Sequence, residues 1–237
     1  MKIYAYIIFG GHEIMSRTVI ELKNMNKKYG NTTACNNLNL KISENEFVCV
    51  LGKSGSGKST LLSLIAGFIQ PDSGEILVNG ENIALFKDAE LANYRRTTIG
   101  VVFQFFNLIN ELNVYENITL PFYLANTKIN EQYVDKVMSI LGISDIRNKS
   151  IFECSGGQQQ RIAIARAIIM HPDIILADEP TGNLDSQNTE NVIQILKEIQ
   201  KEFGLTLIVV THDPHVSQIG SRTLEMKDGK IVWDSKL

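Results

Sequence analysis

The residues most suited to chemistry form one glycine-rich stretch, Gly52-Lys53-Ser54-Gly55-Ser56-Gly57-Lys58-Ser59. Its spacing fits Gly-x-x-x-x-Gly-Lys-Ser/Thr, which predicts a phosphate-binding loop. Glycines let successive backbone N–H groups face one anion. We expect Lys58 to lie on the β- and γ-phosphates and the Ser59 hydroxyl on Mg²⁺, with Thr60 completing the phosphate-binding set.

The flanks of this stretch decide between a binding loop and a flexible Gly/Ser linker. Phe47–Leu51 is an apolar, β-branched run that predicts a buried strand. After the loop, Thr60–Ala66 predicts a helix that ends at Gly67. A linker would not carry a strand and a helix in this order, so the loop is the favoured interpretation.

Three further apolar runs each end on a polar side chain. Asp178 and Glu179 follow one such run, Gln104 another and His212 a third. Ligands of parallel sheets lie beyond the carboxyl ends of the strands, so we expect these groups at one edge with the loop. There Asp178 would organise Mg²⁺, and Glu179 would orient or deprotonate a water. A solvated turn, or a merely structural glutamine or histidine, is the alternative for each residue taken alone.

The elements that must position these groups predict an α/β fold. Strands alternating with helices indicate a mostly parallel sheet with helices on both faces. An antiparallel β layer is predicted from three segments: Val19–Met25, Leu38–Ile42 and Glu75–Gly80. The first of them is expected to end in a turn at Lys27–Gly30. Helical spacing in residues 105–154 indicates an inserted helical subdomain.

Composition limits the classes of function. The chain has 237 residues and a net charge of −3, which argues against a nucleic-acid partner. Three scattered cysteines indicate a reducing cytosol rather than a disulfide or zinc framework. We expect residues 1–15 to be a disordered extension and residues 16–237 to form the domain.

Ser155-Gly156-Gly157-Gln158 opens a second predicted helix and has the composition of another anion site. An ordinary helix cap is the alternative on local evidence. Two copies of the chain facing each other would use both sites, because each Ser-Gly-Gly would cap the γ-phosphate held by the other loop.

At this point the sequence resembles the ATP-binding subunits of ABC transporters, from about Val19 to Trp233. The resemblance rests on the family's ordered motifs: Walker A at Gly52–Ser59, Gln104, the signature at Ser155–Gln158, Walker B at Ile174–Asp178, the D-loop Gly182-Asn183-Leu184-Asp185, His212, and the adenine-stacking Tyr29. The phrases around Gln104 and Asp178 are most similar to the macrolide-export, lipoprotein-release and antimicrobial-peptide-resistance branch, which also holds the cell-division ATPase.

The resemblance implies a P-loop NTPase core and two ATP molecules clamped between two copies of the chain. It implies that Ser59, Gln104 and Asp178 hold Mg²⁺, that Glu179 and His212 act in hydrolysis, and that Asp185 adjoins the nucleotide. It also implies an integral membrane permease subunit and a peripheral position on the cytoplasmic face of the cell membrane.

Two functions stay open at this stage: a transporter ATPase and a non-transporting signalling ATPase of the cell-division type. A chromosome or DNA-repair ATPase would carry long coiled coils between its motifs, and a lone kinase would not need the signature. One residue departs from the family pattern, since Cys154 stands where the family usually has Leu. We expect its thiol near the interface between two chains, with the adjacent helix N-terminus favouring the thiolate.

Overall fold

The apolar runs predicted as buried strands lie side by side in the computed structural model, which describes residues 17–236. The strands within that range are β1 (Thr18–Tyr29), β2 (Thr32–Ser43), β3 (Phe47–Leu51), β4 (Ser73–Val78), β5 (Glu81–Asn82), β6 (Ile99–Val102), β7 (Ile174–Asp178), β8 (Thr206–Thr211), β9 (Arg222–Lys227) and β10 (Lys230–Asp234). The α-helices there are α1 (Lys58–Ile65), α2 (Asp88–Thr97), α3 (Val114–Leu124), α4 (Glu131–Ile140), α5 (Gly156–Ile168), α6 (Ser186–Phe203) and α7 (Pro214–Ser217). The predicted extension, residues 1–15, lies outside the described residues.

The central sheet has six strands in the order β10-β9-β3-β8-β7-β6. All neighbours are parallel except the antiparallel pair of β9 and β10. Both faces are covered, which explains the continuous apolar runs. Phe47 and Cys49 enter the core shared with the helices, and Val48 and Val50 enter the core on the opposite face. The predicted α/β class, with a mostly parallel sheet, is confirmed.

A second, antiparallel sheet has the order β2-β1-β4-β5 and packs on the face that also carries α1. The first strand was expected to end before a turn at Lys27–Gly30. Instead β1 continues to Tyr29, because Lys27 and Lys28 pair with Cys35 and Thr33 of β2. The prediction of a turn at Lys27 was therefore wrong by three residues.

Helices α3 and α4 occupy much of the range 105–154, where helical character was predicted. Val134, Val137 and Met138 are fully buried at the expected spacing. Their core is continuous with that under the central sheet. The separate identity of this subdomain stays a prediction. Across residues 17–236, no helix has both the length and the apolar character that crossing a membrane requires.

A buried ion pair fastens the C-terminal hairpin to the rest of the fold. Arg222 donates from Nε and Nη2 to the two carboxylate oxygens of Asp234, at 2.9 and 2.6 Å. Its Nη1 reaches the Lys41 carbonyl and Glu46 Oε2, at 2.7 and 3.2 Å. The side chains of Arg222 and Asp234 are only 9% and 7% exposed. The hydrogen bonds from Arg222 hold the pKa of Asp234 below its usual range.

Asp234→Asn should lower the free energy of unfolding at pH 7 by about 2 kcal/mol, because a neutral amide replaces one of the two carboxylates that pair with the buried Arg222, while Glu46 remains. The depressed pKa of Asp234 means that the native carboxylate stabilises the fold fully above the unfolded value of about 3.9. That stabilisation is lost as the pH falls through the lower folded pKa. Urea unfolding at several pH values measures both effects. An equal acid destabilisation of Asp234→Asn and the unsubstituted protein would contradict this account.

Candidate active site

The glycine-rich loop joins β3 to α1 and is enclosed by neighbouring backbone. Gly55 and Gly57 have φ values of +80° and +104°, which favour glycine. A Cβ atom at Gly57 would lie 2.1 Å from the Ala34 carbonyl oxygen, and one at Gly52 would lie 2.4 Å from that of Met226. The loop therefore lies directly against β2 and β9, with no room for a side chain at Gly52 or Gly57.

Lys58 is 6% exposed, and its charge is held inside this loop. Its Nζ donates to the carbonyl oxygens of Gly52 and Lys53 at 2.7 and 3.1 Å and lies 3.9 Å from Glu179 Oε1. Among the described residues the buried Ser56 hydroxyl has no hydrogen-bond partner. A buried cation, an unpaired hydroxyl and a glycine cradle fit a polyanion such as the phosphates of ATP.

Asp178 and Ser59 form a second polar pair at this edge, with Ser59 Oγ donating to Asp178 Oδ1 at 3.1 Å. Burial, followed by the charge of Glu179, raises the pKa of Asp178, although Ser59 and Lys58 oppose the shift. A divalent cation between these oxygens would favour the carboxylate. No cluster of three His, Cys, Asp or Glu side chains suited to a metal occurs in residues 17–236. Mg²⁺ in phosphate sites needs only one or two carboxylates, so this oxygen pair fits it.

Glu179 directly follows β7 and has a φ of +47°. Its Oε2 lies 2.9 Å from His212 Nδ1 and also accepts the His212 backbone N–H at 3.3 Å. The Glu179 side chain is 14% exposed and that of His212 64%. A carboxylate fixed in this way, with one oxygen close to the Lys58 ammonium, can orient or deprotonate a water.

Much of the loop lines one cavity of about 890 Å³ together with Gln104, Glu179 and His212, whereas Asp178 reaches it only through its hydrogen bond with Ser59. The carboxyl ends of β3, β6, β7 and β8 supply its loop, Gln104, Glu179 and His212. Thr32 and Ala34 of β2 line its other side, a contribution that the sequence did not suggest. The structure thus brings the loop, Gln104, Glu179 and His212 together.

The remaining predicted residues lie outside this cavity. Tyr29 ends β1, is 51% exposed and has the Lys27 ammonium 5.7 Å from its ring centroid. Ser155 caps α5, since its hydroxyl accepts the Gln158 N–H at 3.3 Å and Gln158 Oε1 accepts the Ser155 N–H at 2.8 Å. Asp185 caps α6, since its carboxylate accepts the backbone N–H and the side-chain amide of Asn188, each at 2.8 Å, and it is exposed. The roles of these residues in binding nucleotide stay predictions.

The exposed starts of α5 and α6 contact each other within one chain. A Cβ atom at Gly157 would lie 2.4 Å from Asn188 Oδ1, and one at Gly156 would lie 3.7 Å from Leu184 Cδ2. The start of α5 therefore packs against Leu184 and Asn188, which lie on either side of Asp185 in the chain.

Two residues hold the loop after Gln104, and neither was predicted from the sequence to contact it. Arg166 of α5 donates to the carbonyl oxygens of Asn107 and Phe106 at 2.7 and 2.9 Å. Asn183 Nδ2 donates to the Gln104 carbonyl at 2.8 Å. An arginine inside an apolar helix was the one available signal for Arg166.

The expectation of a favoured thiolate at Cys154 was wrong, while its position near the interface between two chains stays a prediction. Its side chain is 7% exposed and belongs to the core shared by the helices and the central sheet. Burial raises the pKa of its thiol, which disfavours the thiolate. Local residue types predict the helix boundary but not the direction of the Cys154 side chain.

Known protein families, curated proteins and solved structures include relatives of this chain. The model of the ABC transporter family matches residues 35–182. The ABC transporter ATP-binding protein YxdL of Bacillus subtilis is 44% identical over 218 residues, covering 90% of this chain and 85% of that protein. The lipoprotein-releasing system ATP-binding protein LolD of Bacteroides fragilis is 37% identical over 216 residues, covering 90% of this chain and 100% of that protein.

A solved structure agrees with the sequence relatives. The dimeric structure of MJ0796, a bacterial ABC transporter cassette, superposes with a TM-score of 0.83 at 40% identity, covering 91% of this chain and 97% of that chain. The same cassette is also known as a dimer in a post-hydrolysis state bound to ADP and Pi. MJ0796 is an ABC transporter ATP-binding protein of Methanocaldococcus jannaschii.

The loop geometry predicts different costs for two glycine substitutions. In Gly55→Ala the new Cβ meets no atom within 4 Å, so only the left-handed backbone is penalised, by about 1–2 kcal/mol. In Gly57→Ala the Cβ also clashes with the Ala34 carbonyl, which should cost about 1–3 kcal/mol more. Urea unfolding of the nucleotide-free proteins measures the difference. Equal costs would show that the loop does not lie tightly against β2.

Proposed function

The chain belongs to the ABC transporter family, and from this premise we propose that it is the ATP-binding and ATP-hydrolysing subunit that powers a separate integral membrane permease. The observation that carries the proposal is the single cavity at which the loop, Gln104, Glu179 and His212 converge. The relatives named for transport and lipoprotein release favour a transporter over a signalling ATPase.

The position of each residue suits it to one part of ATP hydrolysis. Lys58 and the loop amides neutralise phosphate charge, as their enclosed geometry suits them to do. Ser59 and Asp178, with Gln104, would hold Mg²⁺, which when bound screens the charge that develops on the phosphates. Glu179 positions or deprotonates the attacking water, and His212, in contact with Glu179, steadies the γ-phosphate.

A second copy of the chain completes each site in this proposal. Ser155 and Gly156 are exposed and lie outside the cavity, so in one isolated chain they have no nucleotide to contact. Facing copies would apply Ser155, Gly157 and Gln158 to the γ-phosphate held by the partner's loop, with Asp185 beside them and Tyr29 on the adenine. The dimeric MJ0796 structures support this arrangement.

The permease partner places the protein at the cytoplasmic face of the membrane. Exposed apolar side chains on α3 and before it suit such a contact: Phe105 is 73% exposed, Tyr123 63% and Leu124 76%. Phe122, also on α3, is 7% exposed and fills the core instead.

Glu179→Gln tests the catalytic assignment. The amide keeps the size of the side chain but cannot accept a proton, so ATP hydrolysis should fall by at least about 100-fold. ATP binding should persist, and a nucleotide-bound dimer should accumulate. Steady-state ATPase assays and size-exclusion chromatography with ATP measure these outcomes. Near-normal hydrolysis would remove Glu179 from the assigned role.

Charged substitutions test the membrane contact. Tyr123→Glu and Leu124→Glu should reduce co-purification with the permease, because a charge at an apolar contact must be desolvated. Basal ATPase activity of the separate subunit should be retained. Val232→Glu is the matched control, since Val232 is 53% exposed on β10. Unchanged co-purification of both α3 variants would place the contact elsewhere.

A further inference from the structure

A second cavity, of about 310 Å³, reaches the catalytic pair from the other side. Glu179 and His212 line both this cavity and the larger one that holds the loop. The rest of its wall comes from the segments that begin α6 and α7. Glu179 and His212 therefore lie between two spaces, and only the larger one is lined by the phosphate-binding loop.

The wall of the second cavity is polar. Thr181, Ser186, Thr189 and Thr211 carry hydroxyl groups along it. A polar space of this size can hold ordered water when several partners are available to each molecule. The hydroxyls, together with the Glu179 carboxylate, supply such partners.

The charges of this wall disfavour an anion. Its carboxylates belong to Glu179, Glu190 and Asp213, against the imidazoles of His212 and His215. Phosphate leaving the catalytic site would be repelled by the excess of acidic groups. Neutral water is not repelled, so the chemistry of the wall selects water over the product anion.

An exposed pair of side chains stands where this cavity meets solvent. His215 Nε2 lies 2.5 Å from Glu190 Oε1, and the two side chains are 63% and 62% exposed. His215 belongs to α7 and Glu190 to α6, so the pair bridges the two helices that form the wall. Exposed side chains rearrange on a fast timescale, and exchange of water past this pair requires no backbone movement.

We infer that this second cavity supplies the attacking water to Glu179 while nucleotide and a second copy of the chain cover the larger cavity. The inference rests on the proposed function, since it needs Glu179 to position water. It adds Thr189 of α6 as a residue that positions water without touching nucleotide. A side chain that fills the cavity should slow cleavage and leave nucleotide binding intact.

Thr189→Met places an apolar side chain in the cavity, and Gln194→Met places the same side chain on the exposed face of α6. Single-turnover cleavage of bound ATP should slow at least about tenfold in Thr189→Met and be unchanged in Gln194→Met. Thr189→Ser, which keeps the hydroxyl and the space, should retain the rate. ATP affinity and ATP-dependent dimer formation should stay within twofold in all three. Unslowed cleavage in Thr189→Met, or slowing accompanied by loss of dimer formation, would overturn the inference.

A crystal structure of Glu179→Gln with ATP gives a readout that does not depend on turnover. Ordered waters should lie in the cavity, bonded to Thr189 or Ser186 and reaching residue 179. A cavity without water, or one filled by the second copy, would refute the water site. If Glu179→Gln hydrolyses ATP normally, the proposed function fails; if it is inactive while Thr189→Met is normal, only the present inference fails.

Discussion

The parallel register of β3, β8 and β7 is the constraint on which the catalytic site depends. Val50 pairs with Val210, and Val210 pairs in turn with Asp178. Hydrogen bonding continues past the strand ends, since the Glu179 N–H donates to the Val210 carbonyl at 3.0 Å and the Gly52 N–H to that of Thr211 at 3.3 Å. The first residues beyond β3 and β7 are thereby fixed to the end of β8, and so to each other, before any ligand binds.

Burial of both sheet faces protects this register. A slip of one residue would exchange the side chains that enter the two cores, moving Cys49 or Val209 to the face of α1. Each core is filled, so the exchange would create clashes and voids on both faces. The same packing that stabilises the fold therefore sets the separations among Lys58, Glu179 and His212, and no loop has to do so alone.

Prediction from sequence succeeded where the information is local. The glycine loop, the polar residues at strand ends and the cap at Ser155 each depend on residues adjacent in the chain, and all lie at the ends of the elements predicted for them. It failed for Cys154, whose side-chain direction depends on packing from several helices. Prediction also missed the contact of Arg166 with the loop after Gln104. Arg166 lies 59 residues from Asn107 in the chain, and the positive φ of Phe106 cannot be predicted from its residue type.

These long-range contacts join parts of the site that the motifs present separately. Ser155 begins α5 and Arg166 lies in its last turn, so one rigid helix carries both the surface offered to a second copy and the clamp on the loop after Gln104. From the other side, Asn183 binds the Gln104 carbonyl two residues before Asp185 caps α6. A rigid-body shift of α5 must either carry the Gln104 loop with it or break the two hydrogen bonds from Arg166. In the proposed dimer, closure of two copies on nucleotide would thus be mechanically connected, within each chain, to the loop that leads into α3 and its exposed apolar surface.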